Sequence, residues 1–455
     1  MRIVALSRLG IVIAALTLSL PCYGASLGDE VRGLLSDHPQ LSAAAAAVNA
    51  ATAGEEVAFS GFLPRVTVFS DAGYEDTDRP GPADLTSSRF SATAEAAWNI
   101  FDGYGTTSRH DAARLSTRIA EQSERRTRQA VLLEAATSYL EVMRQVDLLR
   151  LSRSNEAAIK RQLEIEDERV KRGSGIAVDV LLAKSRLQVS RERLTLVESR
   201  LLDAESRYRQ VFGHAPETGA LEAPVLPRGL LPSDLETAGA ALDSENPAIL
   251  SSQRQVERAN AARREAHSGY YPSLDLVGRS NWEDDVDGLD GKKTQWTMLA
   301  RLRWDLFSGF ATKARVAQAA EQYSEAISTA RQVERKSQEA LALSWHELDS
   351  TAERVQLLAN AVVIAAEVYD ARVKLRDAGK ETSLNVLDAE NELLAACINF
   401  VNADFENRAS VYRVLFQVGR LEDQALLNPG PGTGQGLSAA LPDSARACGI
   451  IGSRG

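Results

Sequence analysis

The chain states one structural unit twice, about 206 residues apart. Each statement joins two strand-like segments to helices far too long for a compact domain. Pro39 and Pro64 are answered by Pro247 and Pro272, an offset of 208. The run from Trp98 to Thr106 (WNIFDGYGT) is answered by the run from Trp304 to Thr312 (WDLFSGFAT), at 206. The same 206 carries Tyr139 to Trp345, Gly173 to Gly379, Val180 to Val386, Ala183 to Ala389 and Gly213 to Gly419. A loop between Pro64 and Trp98 absorbs the two-residue slip. Repetition at such a period means two copies of one architecture, not two unrelated domains.

The helical parts follow from missing breakers. Thr106 to Arg172 contains neither Pro nor Gly, and neither does Thr312 to Ala378. Each stretch is 67 residues, about 100 Å of helix. Globular helices usually stop after roughly 8–20 residues, so a coiled coil or helical tube is expected. Leu132, Ala135, Tyr139, Val142, Val146 and Leu149 step by 3 and 4, and Leu341, Trp345, Leu348, Ala352 and Val355 keep that register. Such a seam packs helices side by side at a shallow angle. Turns at Arg172-Gly173-Ser174-Gly175 and Ala378-Gly379-Lys380 stop the long helices, since glycine accepts the left-handed conformation of a helix end. A second helix follows each turn, Val178 to Phe212 and Leu384 to Val418. Shorter helices, His38 to Gly61 and Glu245 to Ser268, lead into the strands.

The strands show period two. Phe90, Ala92, Ala94, Ala96, Trp98 and Ile100 alternate with polar residues, and Trp296, Met298, Ala300, Leu302, Trp304 and Leu306 repeat the pattern. Their partners are Arg65 to Tyr74 and Ser273 to Asn281. Alternation over about ten residues with aromatic ends fits a membrane barrel strand, and also a soluble hairpin with one buried face. Four strands cannot close a barrel alone, and an open edge cannot lie in lipid, so the membrane reading requires several chains.

Arg2 and Arg8, an apolar run from Leu9 to Leu20 and small residues at Gly24, Ala25 and Ser26 form a secretory signal over 1–25. Pro21 stands where lipidation of Cys22 needs a small residue, and cleavage after Gly24 or Ala25 discards that cysteine. Cys397 and Cys448 remain, on a helix and in the tail, and imply no disulfide framework. The tail, with Pro429, Gly430, Pro431, Gly432, Gly434 and Gly436, reads as disordered. The net charge of -10 argues against a nucleic-acid partner. No apolar run of spanning length follows the signal, which excludes a helical membrane protein but not a barrel.

Catalytic and cofactor signals are missing. His38, His110, His214, His267 and His346 are scattered, and no nucleophile elbow, zinc helix motif or phosphate loop occurs. The acidic run Glu283 to Asp290 has Gly288 at its sixth position, but Thr294 stands where a calcium loop wants Glu, and strands flank it. No metal, cofactor or enzymatic activity is expected.

Taken together, the signal peptide, the repeated helix-strand-strand-long helix-helix order, the two strand-to-helix junctions and Leu384-Asn-Val-Leu-Asp-Ala389 after a glycine turn resemble the TolC family. These are outer-membrane channels of type I secretion and tripartite efflux. The resemblance covers roughly Leu27 to Leu421. It implies a mainly α fold with a small membrane β part, trimerising into a shared 12-strand β-barrel and an α-helical tunnel across the periplasm. The expected layout is a first repeat over 26–213 (strands 65–101, helical hairpin 106–212) and a Pro-rich connector over 214–245. A second repeat follows over 246–421 (strands 273–307, hairpin 312–418), then a tail over 422–455. The implied partners are two further copies, a periplasmic adaptor, an inner-membrane ABC transporter or proton-driven pump, and outer-membrane lipid. Asp388, Asn385 and Asp179 fall at the periplasmic entrance, with Asn385 replacing one of the family's acidic positions. Asp179 also suits a plain helix start. Arg376 and Glu381 stand where the family's gate network lies. Gly173, Gly175 and Gly379 are turn residues at tips that the resemblance makes adaptor-docking points. A soluble periplasmic coiled-coil adaptor or spacer is the competing reading.

Overall fold

The computed structural model describes residues 26–77, 85–173, 176–287, 291–427 and 448–449. The signal segment, Gly175 and Pro429 to Gly436 lie outside these residues.

Each repeat opens with a short helix, α1 (Leu27–Asp37) and α5 (Leu235–Glu245). Neither stands out in the sequence, since each is only 11 residues long. Their caps betray the repeat: Ser26 and Asp234 accept N–H bonds from Asp29 and Thr237, and His38 and Asn246 then cap the next helices. Those helices, α2 (Pro39–Phe59) and α6 (Pro247–Ser268), start on prolines at the first helical position, where no N–H is lost.

Strands β1 (Arg65–Thr77), β2 (Leu85–Phe101), β3 (Ser273–Asp284) and β4 (Lys292–Arg303) form one antiparallel sheet in the order β1-β2-β3-β4. The two hairpins, distant in sequence, join through β2 and β3, with Glu95 opposite Arg279 and Ala97 opposite Val277. β4 ends at Arg303, so Trp304 and Leu306, expected in the strand, lie past it. β1 and β4 are the edges.

The long helices α3 (Gly105–Lys171) and α7 (Ala311–Asp377) each run 67 residues. They fold back on α4 (Ala177–Phe212) and α8 (Ser383–Val418). The predicted seam is the core: Leu132, Ala135, Tyr139 and Val142 are wholly buried, and Leu341 and Val355 nearly so. This core sits midway along the hairpins, where α1, α5 and α9 (Asp423–Leu427) close over it. The connector is pinned there as well. Tyr139 donates its hydroxyl to the Glu222 carbonyl at 2.7 Å, and Arg228 donates to Asn407 Oδ1 at 2.9 Å.

Two expectations about the C-terminus are corrected. Asp423–Leu427, placed in the tail, form a helix that Arg128 holds through Asp423 at 2.7 Å. Cys397 and Cys448 are bonded as a disulfide, their Cα atoms 5.8 Å apart. A separation of 51 residues left no local pattern, and Cys397, on α8, faces the core, where Cys448 packs.

Candidate functional site at the helical mouth

The turns joining α3 to α4 and α7 to α8 set the site. Gly173 and Gly379 take left-handed φ of 75° and 70°, which lets each helix end on itself. Gly379 N–H reaches the Arg376 carbonyl at 2.9 Å, and Lys380 N–H reaches that of Leu375 at 2.9 Å. α8 then starts on Thr382, whose hydroxyl accepts the Asn385 N–H at 3.3 Å.

Within the second turn, Glu381 and Asn385 are bonded to each other. The Asn385 amide donates to Glu381, as does the Thr382 N–H at 3.2 Å, and together they hold the Glu381 carboxyl below its ordinary range. Arg372 donates to the Asn385 carbonyl at 3.2 Å. Both residues are therefore occupied locally.

Asp388 has a different partner. Arg186 of α4 donates to its Oδ1 at 2.7 Å, so the bond ties the first helical hairpin to the second. The Asp388 side chain remains 53% exposed, while that of Arg186 is 21% exposed. Asp179 stands exposed in the first turn of α4, and among the described residues it has no bond to Asp388 or Asn385. Arg376 bonds its neighbour Asp377 at 2.9 Å.

Behind this lies a half-buried group that no sequence motif marks. Burial raises the Glu390 carboxyl above its ordinary value, against the pull of Arg161 from α3 and Arg376 from α7. Tyr369 on α7 is raised by the same burial and by Glu390. A signal for these residues existed in the repeat. At the 206 offset Arg186 matches Glu392, Asp388 matches Leu182 and Glu390 matches Lys184. The copies differ in charge where the hairpins meet each other.

At the opposite end, the strand-to-helix junctions are built twice. Asp102 accepts from the Thr106 N–H at 2.7 Å, and Ser308 from the Thr312 N–H at 3.3 Å. Trp98 and Trp304 donate their indole N–H to the Phe62 and Tyr270 carbonyls, at 2.9 and 3.2 Å. One sheet face is apolar and open: Val66, Val68, Trp296, Met298 and Leu302 are each more than 60% exposed. The acidic loop holds no calcium arrangement among its described residues. Glu283 pairs with Lys293 at 3.0 Å, and Asp285 accepts the Gly291 N–H at 2.6 Å. Gly288 to Asp290 lie outside the described residues.

Paired helical hairpins whose long arms run about 100 Å, set on a sheet with an unburied apolar face, define a channel-type outer-membrane protein, not a globular or adaptor fold. The outer membrane efflux protein family model matches residues 31–214 and 240–413, and the chain belongs to that family. It is 25% identical over 406 residues to outer membrane efflux protein BepC of Brucella suis, covering 87% of each chain. It is also 25% identical over 435 residues to outer membrane protein TolC of Vibrio cholerae, covering 92% of this chain and 97% of that one. A solved membrane protein from Pseudomonas aeruginosa shares the fold with a TM-score of 0.78 at 18% identity, covering 86% and 93% of the two chains. The chain is thus an outer-membrane exit duct reaching into the periplasm, and the soluble-adaptor reading falls.

Proposed function

We propose that three copies assemble into one passive duct, closing their sheets into a single 12-strand barrel and their hairpins into a periplasmic tunnel. The observation that carries this is the sheet. Among the described residues its β1 and β4 edges are unpaired, and one face is apolar, a combination that lipid tolerates only when the edges are closed. The tips at Gly173, Gly175 and Gly379 dock a periplasmic adaptor, which couples the duct to an inner-membrane transporter. Asp388 and Asn385 at the start of α8, with Asp179 in the first turn of α4, line the entrance.

In this reading the Arg186–Asp388 bond is the tie that keeps the mouth shut, since opening must part the two hairpins. Arg376 and Glu381 act more locally, ordering the α7–α8 turn. A half-exposed ion pair is worth up to about 1 kcal/mol, so three per trimer set a modest, reversible latch. Single-channel recording in planar bilayers tests it. Arg186→Ala and Asp388→Ala should both raise conductance by freeing the hairpins. Their selectivities should diverge, because Arg186→Ala bares three carboxylates and increases cation preference, whereas Asp388→Ala removes them and reduces it. Unchanged conductance and selectivity in both variants contradict the assignment of the entrance.

A further inference from the structure

The polar face of the sheet is neutralised along most of its length by cross-strand pairs. Arg89 bonds Asp71 at 2.9 Å and Glu75 at 3.4 Å, Arg279 bonds Glu95, and Lys293 bonds Glu283 at 3.0 Å. At the end nearest the helices that balance stops. Arg65 opens β1, while Arg301 and Arg303 close β4, and alternation sets all three on the same face as those pairs. All three are exposed, and among the described residues none has an ion pair. The one strand carboxylate at this level is Asp275, in register with Arg301, and it already accepts from the Asn99 amide at 2.8 Å. Asp305 follows two residues past β4, and Asp102 is committed to the α3 cap.

The placement on edge strands matters. Closing a barrel brings β4 of one protomer against β1 of the next, so Arg65 from one chain joins Arg301 and Arg303 from its neighbour. We propose that these arginines form a luminal collar, at the junction of barrel and tunnel, that binds anionic solutes carrying carboxylate or phosphate groups in transit. The proposal rests on the trimeric duct and names the class of cargo the duct favours past its acidic mouth. Guanidinium is the group suited to this task, always charged and able to meet a carboxylate or phosphate with two parallel N–H bonds. The apolar face, with Val66, Trp296 and Met298, is the one that meets lipid, so the collar's ligand comes from the lumen and not from a lipid headgroup.

The test uses the full-length protein in planar bilayers of zwitterionic lipid, with inositol hexakisphosphate as probe on the barrel side. The wild type should show a concentration-dependent block that weakens in high salt, as screening predicts. The triple variant Arg65→Gln, Arg301→Gln, Arg303→Gln should need about tenfold more probe, and the corresponding lysine variant should recover part of the effect. If the triple variant fails to insert, Arg303→Gln alone is read for a smaller shift in the same direction. A block equal in wild type and glutamine variants overturns the collar while leaving the duct intact. A block present in zwitterionic bilayers but lost in acidic-lipid bilayers at equal salt overturns it too, by assigning the arginines to headgroups. A wild type that forms no channel overturns the duct and the collar together.

Discussion

Asp102 and Ser308 do the same work 206 residues apart, each accepting the N–H of the threonine four residues on as a 67-residue helix begins. Asp102 also accepts the Thr106 hydroxyl at 2.8 Å, where Ser308 and the Thr312 hydroxyl lie 3.1 Å apart, so the first copy holds the tighter corner. Asp102→Ala should cost about 1 kcal/mol, and Asp102→Ser distinctly less, as thermal denaturation of the detergent-solubilised protein will show. Glu390 supplies a pH-dependent counterpart. Its carboxyl is raised above 4.5 by burial, so the neutral form is the one the fold prefers. The associated stability is present below the unfolded value and is lost as pH rises through the raised one. Glu390→Gln should therefore leave stability unchanged in acid, flatten its decline above pH 4.5, and keep the protein at least as stable as the wild type at neutral pH. Denaturation midpoints measured across that range check the sign, and a variant that loses stability only at neutral pH contradicts it.

At the scale of elements, the helices were almost fully legible. α3 and α7 begin and end one residue before the breaker-free stretches, because a residue in left-handed conformation, Tyr104 or Phe310, starts the helix just ahead of the threonine. The seam was legible because a 3-4 apolar step has one physical meaning over so many turns. Less legible were α1, α5 and α9, which are short and gain their order from covering the core. The partner of Asp388 was hidden for a related reason: Arg186 lies 202 residues away, and only the fold brings its side chain from α4 within reach of α8. The disulfide was equally non-local. Its 51-residue separation makes it worth roughly 4 kcal/mol as a constraint on the unfolded chain. Cys448→Ser should lower the denaturation midpoint in non-reducing conditions and leave it unaltered relative to wild type once both are reduced. Continuity of the long helix is testable too. Val142 is wholly buried mid-helix, and Val142→Pro should cost about 3 kcal/mol or more and abolish export, measured by efflux or secretion in cells carrying the variant.

For the whole molecule, the central physical fact is an incompletely satisfied sheet. Four strands with one apolar face and two free edges have no stable place in water or in lipid as a single copy. The helices add the matching constraint, since long rods with many exposed apolar side chains, Val178, Leu181 and Val189 on α4 and Leu343, Leu357 and Ile364 on α7 among them, seek neighbours along their length. Both deficits are met at once when three chains surround one axis. The measurement that tests this most directly is electron cryo-microscopy of the protein extracted from outer membranes. A particle with threefold symmetry, a continuous barrel taking four strands from each chain, and hairpins enclosing one tunnel is the predicted result. A monomeric particle, or an assembly in which the β1 and β4 edges remain unpaired, would contradict it.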